Sequence, residues 1–581
     1  MVNYMKTICL DIETDGLDPT KIWLAACKDI DSDFVKVCFN REELLKTIAN
    51  TDVFIGHNIL GFDLPCLKKL WDIDIDYRKV KDTLVLSTLF YPERKGGHSL
   101  EQWGIRLNNE KGKHTDWSKI SSDMISYCMQ DVRLTGQVYK HLLDTEKDSF
   151  SDGSIELEHM IKHVITQQER KGFYLDEKKT HILLSEIKSK SDEILLQVRQ
   201  EVKPSVRLVR EVIPRYKKDG CLAATGLQSI DRPHETVGGP FSMISFEPFN
   251  LGSPKQIIAR MERFGWKPVE FTEKGQAKIT QKNLETVSST APSSIRNLAK
   301  WKMLETRVKT MEGWLDALSS DGRVHGKVFP MGAVTGRMTH AEPNLANIVS
   351  SNKPYGTELR SCWTVENVDT HCLVGMDVKG LELRMLAHYM QDDNFTSEVI
   401  DGDPHTYNQN AAGLETRAQA KTFIYALLYG AGAAKIGSII NGSSRQGKET
   451  QEKFLRNVPK LGKLIGAVQK KASRGYIRGI DGRKLWIRQA RAALNTLLQG
   501  GGAIVCKQWS IILHDEIQRR NLDAHLVNTI HDEQQYEVSK EHSEELMEIA
   551  DTTMLKTGEF FNMRLPLNAD ATMGTTWAET H

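Results

Sequence analysis

Paired cysteines are missing from this chain. Its nine cysteines are scattered without Cys-x-x-Cys spacing, which argues against a structural zinc site and against the disulfide framework of a small secreted protein. An excess of charge is missing too, because 77 Lys and Arg stand against 76 Asp and Glu, a net charge of +1. Bulk positive charge therefore cannot carry nucleic-acid binding, and any such contact must come from local patches. No apolar run approaches the roughly 20 residues a spanning helix needs, so no membrane association is expected. Neither an internal repeat nor a low-complexity tract is present. The opening Met1–Lys6 lacks the charged-then-apolar plan of a signal peptide. The expectation is a protein of a reducing cytoplasm.

What is present is an ordinary globular composition, 40% hydrophobic and 26% charged over 581 residues. That length exceeds the roughly 250–300 residues at which a single core stops growing, so two or more domains follow. Residues 1 to about 145 alternate β-branched runs (Thr7–Leu10, Val53–Ile55) with helical patterns (Arg41–Ile48, Asp123–Leu143), an α/β reading. Helical spacing runs from about 154 to 202, where Pro204 interrupts it. The stretch Pro204–Pro248, basic in its first part, reads as a loop-rich insertion, and helical pattern resumes from Ser253 through Trp314. Strands Leu373–Met376 and Leu526–Ile530 then bracket a helical segment from about 404 to 475.

Asp11-Ile12-Glu13 follows the first strand run. Residues two apart on a strand share a face, so the two carboxylates can address one site, and two acids on one face repel unless a cation joins them. By itself such a pair is more often a solvated strand end. Two further segments add to it: His57–Asp63, after a second apolar strand, and Tyr127-x-x-x-Asp131, which sets a phenol and a carboxylate one helical turn apart. Tyr127 alone reads more readily as a buried helical tyrosine. Together these segments resemble the DEDD proofreading exonucleases of the Tyr-x-x-x-Asp subtype, over most of residues 5–145. The resemblance implies an RNase H-like α/β domain whose catalytic and metal-binding acids are Asp11, Glu13, Asp63 and Asp131. In it Asp11 bridges two ions, Tyr127 orients the attacking water, and a single-stranded DNA 3′ end is the substrate.

A second set of acids ends the later strands: Asp377 after Leu373–Met376, and Asp532-Glu533 after Val527–Ile530 and His531. Strand-terminal Asp is frequently only a cap or turn residue. Between them Arg417, Lys421, Tyr425 and Tyr429 follow one another at i, i+4, one drifting stripe on a helix. Two cations followed by two flat rings suit a nucleoside triphosphate, the bland reading being a solvated basic face above core tyrosines. These segments resemble motifs A, B and C of the family A (DNA polymerase I-like) DNA polymerases, in order. The wording Gly380–Arg384, Lys421–Tyr425 and Ala493–Gln499 is nearest to the replicative enzymes of T-seven-type short-tailed bacteriophages.

The resemblance implies an α+β right-hand polymerase over 151–581, following the nuclease of 1–150. Its thumb would be about 155–325, its palm about 326–403 and 481–581, and its fingers about 404–480. Asp377, Asp532 and the Val378 carbonyl would hold two Mg²⁺ ions, replaceable by Mn²⁺, with Glu533 catalytic beside them. Arg417, Lys421 and His405 would bind the phosphates of the incoming dNTP, Tyr425 would pack on its sugar and base, and Glu382 would exclude a ribose 2′-hydroxyl. Tyr429, His531, Arg337, Asn495 and Gln499 would contact the primer–template; for Arg337 alone a structural salt bridge is the simpler reading. Minor-groove acceptors differ little between base pairs, so donors there test pairing geometry without reading sequence.

Two departures from the family stand out. Lys379 lies where relatives carry a small residue, leaving open an altered local potential or a phosphate contact. The Pro204–Pro248 insertion is far shorter than the phage thumb insertion that docks thioredoxin, so thioredoxin binding is not expected. Its basic residues fit duplex contact or a solvated loop. A replisome helicase-primase or another processivity factor stays open as a partner. Phage, plasmid and bacterial origins also stay open, a bacterial host cytoplasm being expected. A non-catalytic scaffold, a single-subunit RNA polymerase and a polymerase with a silent nuclease are the rival readings. The complete set of acids and the presence of Glu382 weigh against them.

Overall fold

The structure, a computed structural model, describes residues 6–581 apart from Asp148, Ser149, Ala224 and Gly226. Met1–Met5, from which the absence of an export signal was read, lie outside the described residues. Contacts divide the chain into two compact units. One comprises the chain up to Asp176 together with Ala317–His581, and the other is Glu177–Asp316.

The first unit begins with a five-stranded mixed sheet. Its strands are β1 (Thr7–Thr14), β2 (Ile22–Asp29), β3 (Val35–Cys38), β4 (Val53–Gly56) and β5 (Val80–Asp82), in the order β3-β2-β1-β4-β5. β1 is antiparallel to β2 and parallel to β4. Alternation along β1 sends Ile8, Leu10 and Ile12 into a core shared with helices α1 (Arg41–Ile48) and α2 (Asp63–Trp71). Cys9 goes to the other face, against α3 (Ser122–Thr145). Each such buried side chain contributes about 1.5–3 kcal/mol, enough to hold the register, since a one-residue slip would turn every one of them outward. The strand does not stop at Leu10 as the sequence pattern suggested. It continues to Thr14, and Asp11 and Glu13 lie within it on the α3 face.

The expected helix from 154 to 202 is two helices. α4 (Asp152–Lys171) ends where Gly172 takes φ 65°, and a short strand, Phe173–Leu175, separates it from α5 (Glu177–Glu201). α4 ties the first unit together. His159 Nε2 accepts the Asp82 backbone N–H at 2.8 Å, and Tyr77 stacks on His163 at 3.7 Å. Thr529 Oγ1 donates to Gln168 at 2.6 Å, and the fully buried Glu158 pairs with Lys507 at 2.6 Å and with Arg483.

In the second unit α5 lies along α6 (Leu298–Asp316), with Lys188 paired to Glu312 at 2.7 Å. The stretch read as a loop-rich insertion contains a hairpin, β6 (Ser205–Val212) with β7 (Phe241–Glu247), held by cross-strand pairs such as Val206 with Phe246 and Leu208 with Ile244. Of its basic residues, Arg207 is paired with Glu247 at 2.9 Å, while Arg215, Lys217 and Lys218 are exposed. The continuous helical pattern expected from Ser253 to Trp314 is also corrected. After Pro254–Glu262 the chain is non-helical to Thr280, with only four-residue turns before α6. Gly265, Pro268 and Gly275 break the helix. Asn283 takes over the loop backbone, accepting from the amides of Val269 and Glu270 and donating to the Glu270 and Lys278 carbonyls.

The first unit resumes with an antiparallel sheet of β8 (His371–Val378), β9 (Ala524–Ile530), β10 (Glu533–Ser539) and β11 (Ala569–Gly574), in the order β9-β10-β8-β11. Between β8 and β9 come α7 (Leu381–Met390), α8 (Pro404–Ala412), α9 (Arg417–Leu428) and the 28-residue α10 (Ala493–Arg520), followed after β10 by α11 (Ser543–Phe560). Trp509 on α10 is buried among the side chains of this core and donates to the Ala550 carbonyl of α11 at 3.2 Å. Among the described residues no helix is long and apolar enough to cross a membrane.

Candidate active sites

Strand period and helix period meet at the first site. Asp11 and Glu13 leave β1 on the same face, and α3, whose first turn is fixed by the Ser121 side chain accepting from Met124 N–H, brings Tyr127, Cys128 and Asp131 against them. The Cys128 thiol donates to Asp11 Oδ2 at 3.5 Å. Asp63, first residue of α2, is buried and accepts the Ile12 amide at 3.1 Å. The loop before it is shaped by Asp82, whose carboxylate accepts the amides of Asn58, Leu60 and Leu84. Asp82 is thus a structural acid whose oxygens are occupied. By contrast Glu13 Oε1 and Asp131 Oδ1 are buried without a hydrogen-bond partner among the described residues.

The electrostatics follow. Burial, then repulsion from Asp131, pushes the Asp11 carboxyl up to about 7, and burial with Asp11 beside it pushes Glu13 up to about 9. Asp63 and Asp131 are raised by burial as well. Unpartnered carboxylate oxygens that crowd one another are the donor set a hard divalent cation requires. Asp11, Glu13 and the Cys128 sulfur offer atoms within 4.8 Å of one another. A carboxyl raised in the folded state stabilises while protonated, and that contribution is lost as pH climbs from its unfolded value towards the folded one. Metal-free protein is therefore expected to lose stability from about pH 4 to pH 9. At pH 8 in chelator, Glu13→Gln is expected to melt a few degrees higher than wild type, and to gain less from added Mg²⁺. A lower melting temperature for Glu13→Gln in differential scanning fluorimetry would contradict the charge-crowding account.

At the second site β8 is buried from Cys372 to Val378 except at Asp377, which is exposed and close enough to Asp532 for the two charges to repel. Asp377 stands opposite Glu533 on one neighbouring strand and Asp570 on the other. Directly opposed residues share a face, so three acids form a row. Asp532 joins them through the two-residue turn between β9 and β10, where its carbonyl accepts the Val378 amide at 3.2 Å. His531 in that turn takes φ 56°, a position hairpins of this length usually give to Gly.

Two of these four carboxylates are already satisfied. Glu533 accepts from Trp577 Nε1 at 2.6 Å and Gln535 Nε2 at 2.8 Å, and pairs with His581 at 2.9 Å. Burial favours its neutral form, but these donors outweigh that and hold it below the ordinary carboxylate range. Asp570 is paired with Lys379 at 2.7 Å, which places the Lys379 cation on a carboxylate across the strand from Asp377. Asp377 and Asp532 carry no ion pair among the described residues. Loss of water around the carboxyl, then repulsion from Asp532, pushes Asp377 up to about 7, and burial raises Asp532.

Around them, Arg337 reaches Glu382 Oε1 at 3.3 Å and the Tyr429 hydroxyl donates to both Glu382 oxygens, at 2.9 and 3.0 Å. Arg337, Glu382, Gln499, His531 and Asp532 line one small cleft. The Oδ1 of Asn495, one helical turn before Gln499 on α10, is buried without a partner among the described residues. α9 opens with a capping box between Thr416 and Gln419. It carries Lys421 exposed and Tyr425 half-buried, with Tyr429 as its cap residue. His405 lies 6.3 Å from the Tyr425 ring. Arg417 is held by Asp403, Nε to Oδ2 at 2.7 Å and Nη2 to Oδ1 at 3.1 Å, so the stripe read from the sequence has one of its cations engaged.

Sequence reasoning missed Asp403, Trp577, His581 and, at the first site, Lys111. One signal was available for the C-terminal pair. Gly375 interrupts an otherwise apolar strand, and a Cβ there would collide with the Thr580 carbonyl. A mid-strand glycine marks the close approach of another backbone, here the segment that delivers Trp577 and His581 to Glu533.

Comparison with known proteins adds a second line. A family model, DNA polymerase family A, matches residues 231–579. The DNA-directed DNA polymerase of Enterobacteria phage T3 is 31% identical, covering 91% of this chain and 92% of its own length. That of Escherichia phage T7 is 30% identical, covering 92% and 93%. Among solved structures, the POL domain of Pol1 from M. smegmatis, in complex with DNA primer-template and dNTP, superposes with a TM-score of 0.78. It is 19% identical and covers 99% of this chain and 96% of that one, a likeness of fold.

Proposed function

Because the chain belongs to DNA polymerase family A, we propose that it is a template-directed DNA polymerase that extends a primer 3′ end with deoxynucleotides. We propose further that its N-terminal α/β region is an RNase H-like 3′→5′ exonuclease that removes mispaired ends. The observation that carries the first reading is the pair Asp377 and Asp532, which repel one another and carry no ion pair among the described residues, while their acidic neighbours Glu533 and Asp570 are each paired with a cation. The same logic supports the second, through the orphaned oxygens of Glu13 and Asp131.

Pairs of Mg²⁺ ions, for which Mn²⁺ can substitute, would be held by Asp377, Asp532 and the Val378 carbonyl, and by Asp11, Glu13, Asp63 and Asp131. They would supply Lewis-acid stabilisation of phosphoryl oxygens and an acidified nucleophile. The chain's own groups do the rest. Lys421 and His405 bind the triphosphate, and Arg417 joins them by exchanging Asp403 for phosphate oxygens. Tyr425 packs on the sugar and base. Arg337, Asn495 and Gln499, with His531 beside them, donate to the primer–template, and Tyr429 borders the templating base. Tyr127 orients the water that attacks the 3′-terminal phosphodiester. Residues 1–150 form the nuclease, and within 151–581 the thumb is about 155–325, the fingers about 404–480 and the palm the remainder. Primer–template DNA and dNTPs are the partners of this reading, in a host cytoplasm.

Glu382 is fixed from two sides, by Arg337 and by the Tyr429 hydroxyl. A rigid carboxylate discriminates by clash and unfavourable polarity against a 2′-hydroxyl. Glu382→Ala is expected to raise ribonucleotide incorporation relative to the deoxynucleotide by about 10–100-fold in kcat/KM, since removing a built clash releases about 1.4–2.7 kcal/mol of discrimination. Unchanged discrimination in single-nucleotide extension would remove Glu382 from this role. For the whole reading the test is primer extension and mismatched-end removal measured on one preparation, with each acid set substituted in turn.

A further inference from the structure

The loop between the nuclease motifs, residues 108–121, was assigned nothing by the sequence, yet it enters the acid cluster. Lys111 extends its ammonium to Asp131 Oδ2 at 2.8 Å and lies over the Tyr127 ring at 4.8 Å. The partner carboxylate is buried and the lysine side chain is itself three-quarters covered. Burial disfavours the charged amine, but Asp131 outweighs that and holds Lys111 charged.

The loop is built to hold it there. Asn109 accepts from Gln130 at 2.7 Å and donates to Gln137 at 2.8 Å, both on α3. Trp117 packs edge-on to Tyr127 at 5.8 Å, and its carbonyl accepts from Trp23 at 3.0 Å. Gly104 has no room for a Cβ, which would press on the Asn109 carbonyl and the Lys111 amide. Lys111 and Tyr127 also border a cavity of about 1380 Å³ lined in addition by Lys113, Lys162 and Lys327.

We propose that Lys111 is a positioning residue of the nuclease site, standing as a resident cation on Asp131 and fixing the Tyr127 phenol until a divalent ion takes the carboxylate. The inference rests on reading the N-terminal acids as a nuclease. An ammonium on one oxygen of a ligand carboxylate offsets the negative charge that draws an ion to the other and repels the ion itself, so it weakens metal binding, while the ring contact orders the group that positions the water. Removing it therefore moves the two quantities in opposite directions: tighter metal, slower cleavage. Loss of folding alone would weaken both.

Mn²⁺ binding to the full chain carrying Asp377→Asn and Asp532→Asn, followed by the electron paramagnetic resonance of free Mn²⁺, isolates the N-terminal acids. Lys111→Met is expected to tighten that binding by about five- to tenfold, as removal of a competing charge requires. With the polymerase acids intact, the same substitution is expected to slow mismatched-end removal at saturating Mg²⁺ by about tenfold or more. Lys111→Arg, which keeps the charge and the ring contact, restores most of the rate. Primer extension by the same preparations reports that the chain is folded. Unchanged Mn²⁺ affinity in Lys111→Met overturns the proposal, and so does tightened binding with an unaltered cleavage rate. A wild type that removes no mismatched end, while Lys111→Met still tightens Mn²⁺, sinks the nuclease reading and leaves Lys111 as the resident cation.

Discussion

Asp532→Asn is expected to depress primer extension by about 10³-fold or more, equivalent to about 4 kcal/mol of barrier, while mismatched-end removal survives. Asn keeps the shape of the turn between β9 and β10 and removes one negative charge. At this position the charge matters more than the shape. Glu533 is already engaged by Trp577, Gln535 and His581, and Asp570 by Lys379, so neither can replace the lost carboxylate. Fold damage should be slight, because burial and crowding disfavour the ionised form of Asp532 and a neutral amide relieves that. A variant of normal melting temperature that still extended primers within tenfold of wild type would refute the assignment of Asp532. The pH dependence adds a check. With Asp377 pushed up to about 7, its proton competes with metal below that pH, so extension at low Mg²⁺ should fall steeply from pH 8 to pH 6 and less so at high Mg²⁺.

The complementary result is expected for Asp11→Ala with Glu13→Ala: mismatched 3′ ends persist, with removal down by about 10³-fold or more, and primer extension stays close to wild type. Both residues leave one face of β1, and Asp63 and Asp131 alone cannot reconstitute the set, because Asp63 spends one oxygen on the Ile12 amide and Asp131 one on Lys111. The measurement is release of the terminal nucleotide from a mismatched, labelled primer in Mg²⁺ without dNTPs. Removal that continued undiminished would show that the N-terminal acids are not the nuclease. Loss of both activities together would show instead that the double substitution had damaged the fold.

Much of this arrangement could be read before any coordinates, and the reason differs from residue to residue. Asp11 and Glu13 were legible as a shared face because strand alternation is a local rule. Tyr127 and Asp131 were legible because helical spacing is one too. The brackets Leu373–Met376 and Leu526–Ile530 were found because each is a short, largely apolar run, and they proved to lie in β8, inside the sheet, and in β9 at its edge. Lys111 could not be found this way. It sits in an irregular loop where no period exists, and its significance comes from contact with residues 16 and 20 positions later. Trp577 and His581 were hidden for the same reason, their target lying more than 40 residues back along the chain. The helix expected across 253–314 failed differently. Apolar spacing persisted while Gly265, Pro268 and Gly275 prevented the backbone from following it.

α4 carries a practical lesson for anyone wishing to separate synthesis from the proposed editing. The chain cannot simply be cut near residue 150. His159 would lose the Asp82 amide, and the Tyr77 ring would be stripped from His163, while Glu158, Gln168 and Glu169 on the same helix still grip Lys507, Thr529 and Val328. Truncation would lay bare an apolar and half-satisfied flank, an invitation to aggregate. Two neutral side chains in place of Asp11 and Glu13 are expected, on the proposed nuclease reading, to silence that chemistry and leave the seam closed.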